Sequence, residues 1–482
     1  MPARKPFRVV LTALAVLGAV TGHGSADTDD LLADLEAIQR EEHLPAIGLV
    51  IVERSTTLVR AWGRTGNPAK PEADGDTPFR LGSITKTFTA LALVELARSR
   101  NLDLDTPLDK VVGPGSHVNP FPGQPVRLRH LVEHTAGLGD LTRAEFDHNE
   151  PDPVSLVRAL AIAPESRRVR WPPGTRHSYT NVGPGLVSLA IERVSGESFE
   201  SYTTHAVLQP LGMTRAGFFP DAALPKGYRD DGVTEIPYWH MTFRAYGALN
   251  ATPNEMGRFL TALVDRGRLQ GRQVIPASSW SGLLRPVSTL AARAGLSIGY
   301  GFGAYGWVSH GHVFRGHGGD ADGFRSRYGV LREPHRAYFV VINADHPRAL
   351  ERLRDRIELH LTHDLDAPTL PDVPRIGAPA LSRWAGGYYP SSARFRLQDW
   401  SDGRLPRARV TVSHRGLRFT GRGRPVNLVV VSDHLFRREG DPLATVAFIE
   451  HAGCVHLQGE LGNFVRLEAS EGEAFQNRCI SE

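Results

Sequence analysis

The chain has 482 residues, of which 41% are hydrophobic and 22% charged, and its net charge is +4. That length exceeds one ordinary core, so the sequence predicts a globular protein of two or three domains rather than a disordered chain. The net charge is small and the basic residues are scattered among acidic ones, which argues against a nucleic-acid partner.

Residues 1–26 have the pattern of an export signal. Basic residues precede a run of twelve apolar ones, and the small residues Gly24 and Ala26 stand where a signal peptidase reads. Twelve apolar residues are too few to span a bilayer, and no later stretch reaches that length. We therefore expect a mature chain that is periplasmic or secreted, without a stable membrane anchor. An uncleaved anchor is the alternative.

Helix and strand patterns follow the signal in a definite order. They predict an N-terminal helix at 27–43, a hairpin at 46–54 and 57–63, a mostly helical region from about 83 to 265, four strands between 300 and 344, and a closing helix at 346–361. We expect residues 27–363, which end at a proline-rich stretch, to form one domain.

The C-terminal part has a different composition. Residues 364–380 contain four prolines and predict an extended linker. Residues 381–482 alternate apolar and polar side chains between turn residues, which is typical of a small antiparallel sheet or barrel. Cys454 and Cys479 both fall here. An oxidising compartment favours their pairing as a disulfide, and two unpaired buried thiols are the alternative.

A lysine stands inside the most apolar helical stretch of the chain. The sequence FRLGSITKTFTALALVELA (79–97) is apolar all around a helical wheel, which predicts a buried helix. Lys86 lies on the same face as Ser83, three residues earlier. If the helix begins near Ser83, burial and the positive helix N-terminus both favour the neutral amine over the ammonium ion. A serine beside such a base is an activated nucleophile; a capping serine with a lysine that extends to the surface is the alternative.

Two further stretches carry chemistry. Tyr179 and Asn181 stand before an apolar helical run, where a tyrosine can pass protons and an asparagine can both donate and accept hydrogen bonds. His317, Gly318 and Gly319 stand where a strand is expected to end, and the glycines would let a substrate backbone approach closely. A helix cap with a packing residue, and a simple hairpin turn, are the structural alternatives.

These motifs, in this order, resemble those of the penicillin-recognising serine hydrolases related to class C β-lactamases. That group includes D-alanyl-D-alanine carboxypeptidases, D-aminopeptidases and β-lactamase-fold esterases. Connecting stretches such as VRLRHLVEHTAGL and GALNATPNEMGRFL resemble the family as well, over about residues 30–360. The resemblance implies an α+β fold of the β-lactamase/transpeptidase type, in which helices flank an antiparallel sheet and form a helical subdomain. It also implies a separate, lipocalin-like antiparallel β-domain at the C-terminus.

The resemblance further implies the roles of individual residues. Ser83 would form an acyl-enzyme, and Lys86 would take its proton, shared with Tyr179, which returns it to the leaving group. Asn181 would hold the substrate amide, and the N–H groups of Ser83 and Asp320 would form the oxyanion hole. No metal or organic cofactor is implied. The implied site is catalytic Ser83, Lys86 and Tyr179 with substrate-binding Asn181, His317, Gly318, Gly319 and Asp320.

The sequence departs from the family pattern at two positions, His317 and Pro184. His317 stands where many β-lactamases have a lysine, and a histidine is only partly charged at neutral pH. This favours a D-amino-acid peptide, cell-wall peptide included, or a small ester over a β-lactam. A β-lactamase, or a penicillin-binding or cell-wall sensor protein without turnover, is the alternative. Pro184 follows Asn181 closely, which suits only a helix that starts there.

Two other patterns are set aside. A G-x-S-x-G sequence surrounds Ser297, but the strand before it and the helix after it that a nucleophile elbow requires are not predicted. His310, His312 and His317 suggest a zinc site, but no carboxylate follows before Asp320, and strand alternation sends neighbouring side chains to opposite faces.

Overall fold

The computed structural model describes residues 23–53, 56–149, 152–283, 285–374, 376–394, 408–421, 423–466 and Cys479. The predicted signal peptide falls mainly on residues 1–22, outside the described residues. The described chain begins with helix α1 (His23–Glu41) and the hairpin of β1 (Ala46–Glu53) and β2 (Thr56–Gly63). The helix therefore starts within the last four residues of the predicted signal, and both strands lie within one residue of their predicted bounds.

A long, mainly helical region follows the hairpin. Its helices are α2 (Thr85–Ser99), α3 (Leu108–Val112), α4 (Leu128–Val132), α5 (Arg143–Phe146), α6 (Leu156–Ile162), α7 (Val182–Ser195), α8 (Phe199–Thr203), α9 (Pro253–Val264), α10 (Ala277–Leu283) and α11 (Leu290–Arg293). Eight short strands join them: β3 (Phe79–Arg80), β4 (Asp147–His148), β5 (Gly227–Tyr228), β6 (Glu235–Ile236), β7 (His240–Met241), β8 (Asn250–Ala251), β9 (Arg268–Leu269) and β10 (Arg272–Gln273). Single turns of other helix types lie at Gly82–Ile84, Pro164–Arg167, Thr204–Leu208 and Arg244–Tyr246.

The chain then returns to the sheet. The returning elements are β11 (Tyr305–Ser309), β12 (His312–Ala321), β13 (Phe324–Leu331), β14 (Arg336–Ile342) and the closing helix α12 (Pro347–His360). The six-stranded sheet has the order β11-β12-β13-β14-β1-β2, and every neighbouring pair is antiparallel. The first hairpin of the domain thus pairs with the last strand of the sheet, Ile47 facing Ile342.

Helices cover both faces of this sheet. Alternate residues of β1, among them Ile47 and Leu49, pack with α1 and α12 around Leu353. The intervening residues, such as Val50, join the larger core of the helical region together with Phe259 of α9. Successive side chains of a strand point to opposite faces, so a strand between two helical layers is apolar throughout. The predicted α+β architecture is confirmed.

The third sequence motif lies inside a strand. β12 continues to Ala321 and pairs with β13 as far as Phe324, so His317, Gly318 and Gly319 are not at a strand end as expected. The glycines interrupt the apolar alternation on which the expected strand end rested, while the ladder of backbone hydrogen bonds continues through them. The prediction of a strand end was therefore wrong.

The C-terminal part is a closed barrel. After the short helix α13 (Ala378–Ser382), eight strands follow one another around it: β15 (Gly386–Pro390), β16 (Ala408–Ser413), β17 (Gly416–Thr420), β18 (Val426–Val430), β19 (Leu435–Arg438), β20 (Val446–His451), β21 (Cys454–Gly459) and β22 (Gly462–Arg466). β22 pairs with β15, and closure leaves no unpaired sheet edge. The predicted separate antiparallel β-domain is confirmed.

Specific contacts fix the barrel on the N-terminal domain, which was predicted at residues 27–363. The Arg176 guanidinium donates to the carbonyls of Ser391 (2.6 Å) and Cys479 (2.7 Å), and Cys479 forms a disulfide with Cys454 of β21. The buried Gln458 side chain accepts from the Ala291 N–H and donates to the Thr175 carbonyl, each at 3.0 Å. None of the described helices is both long and apolar enough to cross a membrane.

Candidate active site

The first motif forms a hydrogen-bonded serine–lysine pair. Ser83 lies in the turn Gly82–Ile84, and α2 begins directly after it, which places Lys86 in the first turn of that helix. The Lys86 Nζ lies 2.9 Å from the Ser83 Oγ and 2.8 Å from the Tyr246 carbonyl. The alternative of a lysine that extends to the surface is wrong, since Lys86 is 2% exposed.

The surroundings of Lys86 favour its neutral form. Burial lowers the pKa of Lys86 well below its ordinary value of 10.5; Asp140 and Asp320 oppose this shift, and Arg394 adds to it. The position in the first turn adds the positive end of the helix dipole, which also disfavours an ammonium ion. A neutral amine at hydrogen-bond distance from a serine hydroxyl can accept its proton.

Tyr179 borders the same pair. Its ring centroid lies 4.9 Å from the Lys86 Nζ and 4.5 Å from the ring centroid of the buried His134. Burial raises the pKa of Tyr179 above its ordinary value of 10, and a hydrogen bond with Ser83 opposes that rise. The phenol therefore keeps its proton at neutral pH and can donate it in the direction of Ser83.

Asn181 is buried with one amide atom unused. Its backbone N–H donates to the Asp140 Oδ1 (2.7 Å), and its Nδ2 lies 3.5 Å from the Asp140 Oδ2. Its side-chain oxygen is buried and has no hydrogen-bond partner among the described residues. A buried carbonyl oxygen without a partner is costly unless a ligand supplies the missing donor. Asn181 is the residue before α7, so Pro184 falls in the first turn of α7, where a proline is tolerated.

The Asp140 carboxylate joins the two domains at the site. It accepts a hydrogen bond from the Arg394 Nε at 2.5 Å, and the Asp140 N–H donates to the Arg394 carbonyl at 2.9 Å. The guanidinium also lies over the Tyr179 ring, 4.9 Å from its centroid. Arg394 follows β15, so the barrel domain contributes a side chain to the wall of the cleft.

His317 is buried and neutral. Its Nδ1 donates to the Gly318 carbonyl, which leaves the Nε2 to accept from the Tyr300 hydroxyl at 2.7 Å. Burial, aided by the Lys86 charge, lowers the pKa of His317 to about 3. The prediction that His317 is partly charged at neutral pH is therefore wrong, because the sequence did not reveal how deeply β12 is buried.

Two glycines let β12 touch the nucleophile turn. A Cβ on Gly319 would stand 1.8 Å from the Leu81 carbonyl oxygen, and a Cβ on Gly82 would stand 2.6 Å from the Asp320 nitrogen. Gly82 also has a positive φ of +54°. The backbones of the turn and the strand are thus in direct contact beside Ser83, while the Asp320 carboxylate turns away and pairs with Arg325.

One cleft of about 580 Å³ collects these groups. All predicted site residues except Lys86 line it, and Lys86 lies behind Ser83. Ser297 is exposed and lies in coil, without the strand and helix of a nucleophile elbow. Among the three histidines of the discarded zinc pattern, His310 contacts Asp355 and His317 contacts Tyr300.

Several neighbours of the site carry no motif of their own. They are Tyr246, Asp140, Arg394, His134, Tyr300 and Tyr305. Asp140 and His134 lie in or beside VRLRHLVEHTAGL, and Tyr246 directly precedes GALNATPNEMGRFL. The family resemblance of these two stretches was thus the available signal, whereas nothing in the sequence singled out Arg394.

Comparisons with known proteins identify the family and the fold. The family profile described as Beta-lactamase matches residues 29–362. Protein flp of Staphylococcus aureus (strain MRSA252) is 25% identical over 345 residues, 68% of this chain and 66% of flp. The D-alanyl-D-alanine-carboxypeptidase/endopeptidase AmpH of Escherichia coli (strain K12) is 27% identical over 186 residues, 36% of this chain and 45% of AmpH.

A solved structure extends the likeness to both domains. The octameric penicillin-binding protein homologue from Pyrococcus abyssi superimposes with a TM-score of 0.59 and 21% identity, over 91% of this chain and 100% of that one. At that identity the likeness shows the fold alone. The family profile covers most of the chain, and the resemblance inferred from the motifs is confirmed. The match spans about two thirds of the length of flp, and the chain belongs to the Beta-lactamase family.

Proposed function

We propose that the protein is an exported serine hydrolase that cleaves an amide or ester bond through an acyl-enzyme on Ser83. D-amino-acid peptides and small esters are the proposed substrates. The supporting observation is the 2.9 Å contact between the Lys86 amine and the Ser83 hydroxyl, in surroundings that lower the pKa of the amine.

Acylation uses the serine–lysine pair. The Ser83 Oγ attacks the substrate carbonyl carbon, and the Oγ proton passes to the Lys86 Nζ as the new C–O bond forms. The negative charge on the carbonyl oxygen is stabilised by the backbone N–H groups of Ser83 and Asp320. The contact between the Gly82 turn and the Asp320 backbone supports this pairing of donors.

Tyr179 completes the proton path. The bond to the leaving group breaks as the carbonyl re-forms, and the leaving nitrogen or oxygen takes the Tyr179 proton, which the Lys86 ammonium replaces. The hydrogen bond between Tyr179 and Ser83 and the closeness of Lys86 support this assignment. Water then attacks the acyl-enzyme along the same path in reverse, which releases the acid and restores Ser83.

Asn181 recognises the acyl part of the substrate. Its unpaired side-chain oxygen suits an amide N–H of the substrate, which would supply the missing donor. The name of AmpH, a D-alanyl-D-alanine carboxypeptidase and endopeptidase, supports peptides that contain D-amino acids.

The charges of the cleft argue against a dedicated β-lactamase. His317 is neutral, so it does not offer the permanent cation that a lysine provides for a β-lactam carboxylate. Arg325 pairs with Asp320, Arg327 with Glu351, and Arg394 with Asp140. We therefore expect β-lactams to be poorer substrates than peptides and esters.

Export is part of the proposal. The N-terminal sequence pattern supports it, and the disulfide between Cys454 and Cys479 is of the kind that persists in oxidising compartments. The corresponding location is the periplasm or the outside of the cell, where cell-wall peptides would be within reach.

A serine-reactive fluorophosphonate probe tests the nucleophile. We expect the wild-type protein to be labelled once per chain and Ser83→Ala to remain unlabelled. Ser297→Ala is the matched control, and it should be labelled like the wild type. Labelling of Ser83→Ala to the wild-type level would overturn the assignment of the nucleophile.

A substrate panel then tests turnover. Nitrocefin, 4-nitrophenyl acetate and a D-alanyl amide cover the three candidate classes, and we expect steady-state hydrolysis of the ester and the amide that exceeds hydrolysis of nitrocefin. Labelling of Ser83 without turnover of any of them would replace the hydrolase by a sensor that acylates and stops.

A further inference from the structure

A second cavity adjoins the cleft at the boundary between the two domains. Its volume is about 290 Å³, and apolar side chains of the hydrolase domain, including Leu296 and Ile298, form much of its wall. Gln458 and Glu460 of the barrel close the other side. An apolar cavity of about 150 Å³ already accepts benzene, so this space is sufficient for an aromatic ring or a branched alkyl group.

The cavity shares two residues with the cleft. Tyr179 and Tyr305 line both spaces, whereas Ser83 and Asn181 line the cleft alone. Asn181 is the proposed contact for the acyl part of the substrate, and Tyr179 is the proposed proton donor to the group that departs. The cavity therefore lies on the leaving-group side of the scissile bond.

We propose that this interdomain cavity is the leaving-group pocket, and that it selects leaving groups that are bulky, apolar and free of a carboxylate. The inference rests on the proposed function and deepens it. It separates hydrolysis of an amide or ester with an apolar leaving group from a carboxypeptidase reaction, in which the leaving group is an amino acid with a free carboxylate.

The charges around the cavity support the proposed preference for leaving groups without a carboxylate. No lysine or arginine is among the described residues that line it. Burial lowers the pKa of His177 to about 4, so this imidazole is neutral at pH 7. Glu460 faces the cavity and pairs with Arg438 at 3.2 Å. A carboxylate placed here would lose its water and meet an acidic side chain, and none of the described lining residues would supply a cation.

The walls are held in place before a substrate arrives. The side-chain oxygen of Gln458 accepts a hydrogen bond from the Ala291 N–H, and its side-chain nitrogen donates one to the Thr175 carbonyl. The Asn463 amide nitrogen donates to the His177 carbonyl at 2.9 Å. A preorganised apolar pocket gains affinity because little has to be ordered when the ligand binds. The barrel thus acts as one wall of the substrate site.

Leaving groups compared on one acyl group test the proposal. We would measure kcat/KM of the whole chain for D-alanine amide, D-alanine benzylamide, D-alanyl-D-alanine and D-alanyl-D-alanine amide. We expect the benzylamide to exceed the simple amide, and the dipeptide amide to exceed the free dipeptide, each by about tenfold or more. Equal values within either pair would overturn the proposal.

Variants of the wall locate the preference in this cavity. Ile298→Trp, which fills it, should lower the ratio of benzylamide to amide hydrolysis by about tenfold. Glu460→Gln should raise the ratio of free dipeptide to dipeptide amide hydrolysis about threefold or more. Glu439→Gln, on the barrel surface beside Arg415, is the matched control and should leave both ratios unchanged. Ratios in Glu460→Gln that equal those of the wild type would contradict the assignment even if Ile298→Trp failed to fold.

A binding measurement separates this inference from the proposed function. Calorimetric titration of Ser83→Ala with benzyl alcohol and with mandelate, its carboxylated analogue, needs no turnover. We expect benzyl alcohol to bind about tenfold more tightly than mandelate. Tighter binding of mandelate would overturn the proposal of a leaving-group pocket. If benzyl alcohol binds as expected but the wild-type protein turns over none of the substrates, the pocket is supported and only the proposed hydrolase activity is overturned.

Discussion

The amine of Lys86 lies between a hydroxyl and a backbone carbonyl, and both contacts depend on the position of one residue in the first turn of α2. The i, i+3 spacing from Ser83 was enough to predict the pair, because helix geometry fixes it locally. The Tyr246 carbonyl and the Asp140 carboxylate were not predictable in this way. Each reaches the site from a part of the chain far from Ser83, and only the tertiary fold brings them there.

The lowered pKa of Lys86 predicts the pH dependence of acylation. The base acts in its neutral form, so the rate should rise as pH increases through a pKa below 10.5 and stay level above it. Tyr179, whose pKa is raised, remains a proton donor across the same range. The single-turnover acylation rate measured between pH 5 and about pH 10 checks this, and a rate that still rises about tenfold per pH unit at the upper end of this range would contradict it.

Removal of the amine should nearly stop acylation. In Lys86→Met we expect the acylation rate to fall by about 10²–10⁴-fold, because no other group takes the Ser83 proton. Stopped-flow measurement with 4-nitrophenyl acetate gives this rate directly. Arg98→Met, a loss of a cation on the exposed end of the same helix, is the control. A Lys86→Met rate within a few-fold of that control would remove the lysine from the proton path.

The unpaired oxygen of Asn181 predicts a selective loss. In Asn181→Leu, substrates with an amide N–H in the acyl part should lose about 10–100-fold in kcat/KM, the equivalent of one buried hydrogen bond. Their N-methylated analogues have no such donor, so the variant should change them much less. Equal losses for both kinds of substrate would indicate a general distortion of the cleft instead.

Among the strands and helices, β12 is the element whose position constrains the site most, because its backbone touches the turn that carries Ser83. The run FRSRYGVL (324–331) was interpreted as a strand, and β13 has these bounds. The eight short strands β3 to β10 were not predicted, nor were β15 and β21 of the barrel. The sequence of β15, GGYYP, lacks an apolar and polar alternation, and only the closure of the barrel makes it a strand.

A glycine of β12 should not tolerate an added methyl group. Gly319→Ala forces a Cβ into the Leu81 carbonyl oxygen, so we expect the turn at Ser83 to shift and acylation to fall by about 10²-fold. Gly387→Ala, in β15 of the barrel, is the control, because its Cβ would meet nothing within 4 Å. Melting temperatures and acylation rates of both variants check the difference, and equal acylation rates would contradict the backbone contact.

In the whole molecule, the barrel is joined to the hydrolase domain by contacts that no local pattern could foretell. Arg176 reaches Ser391 and Cys479, which lie 215 and 303 residues further along the chain. The length predicted two or three domains, and the alternation of apolar and polar residues predicted that the C-terminal one is rich in β-strands. The docking surface between them depends on shape and on single buried polar groups, which are not visible as a period in the sequence.

The disulfide should stabilise this arrangement. Cys454→Ser with Cys479→Ser should lower the free energy of unfolding by about 2–4 kcal/mol, because the unfolded chain gains freedom and the Cys479 carbonyl is no longer held beside Arg176. Denaturant titration measures the change. Dithiothreitol should destabilise the wild type and leave the double variant unaffected; a wild type that is equally stable in the reductant would contradict the prediction.

The pairing of β1 with β14 sets the order in which the protein can assemble. During synthesis, β1 emerges long before β14, the strand that pairs with its other edge, because Ile47 pairs with Ile342. Until then a strand that is apolar on both faces has an open edge, which is a template for association with other chains. Such distant pairings also slow folding. A nascent or shortened chain that stops before residue 336 is therefore an aggregation hazard, and transport in an unfolded, chaperone-held form would suit this topology well.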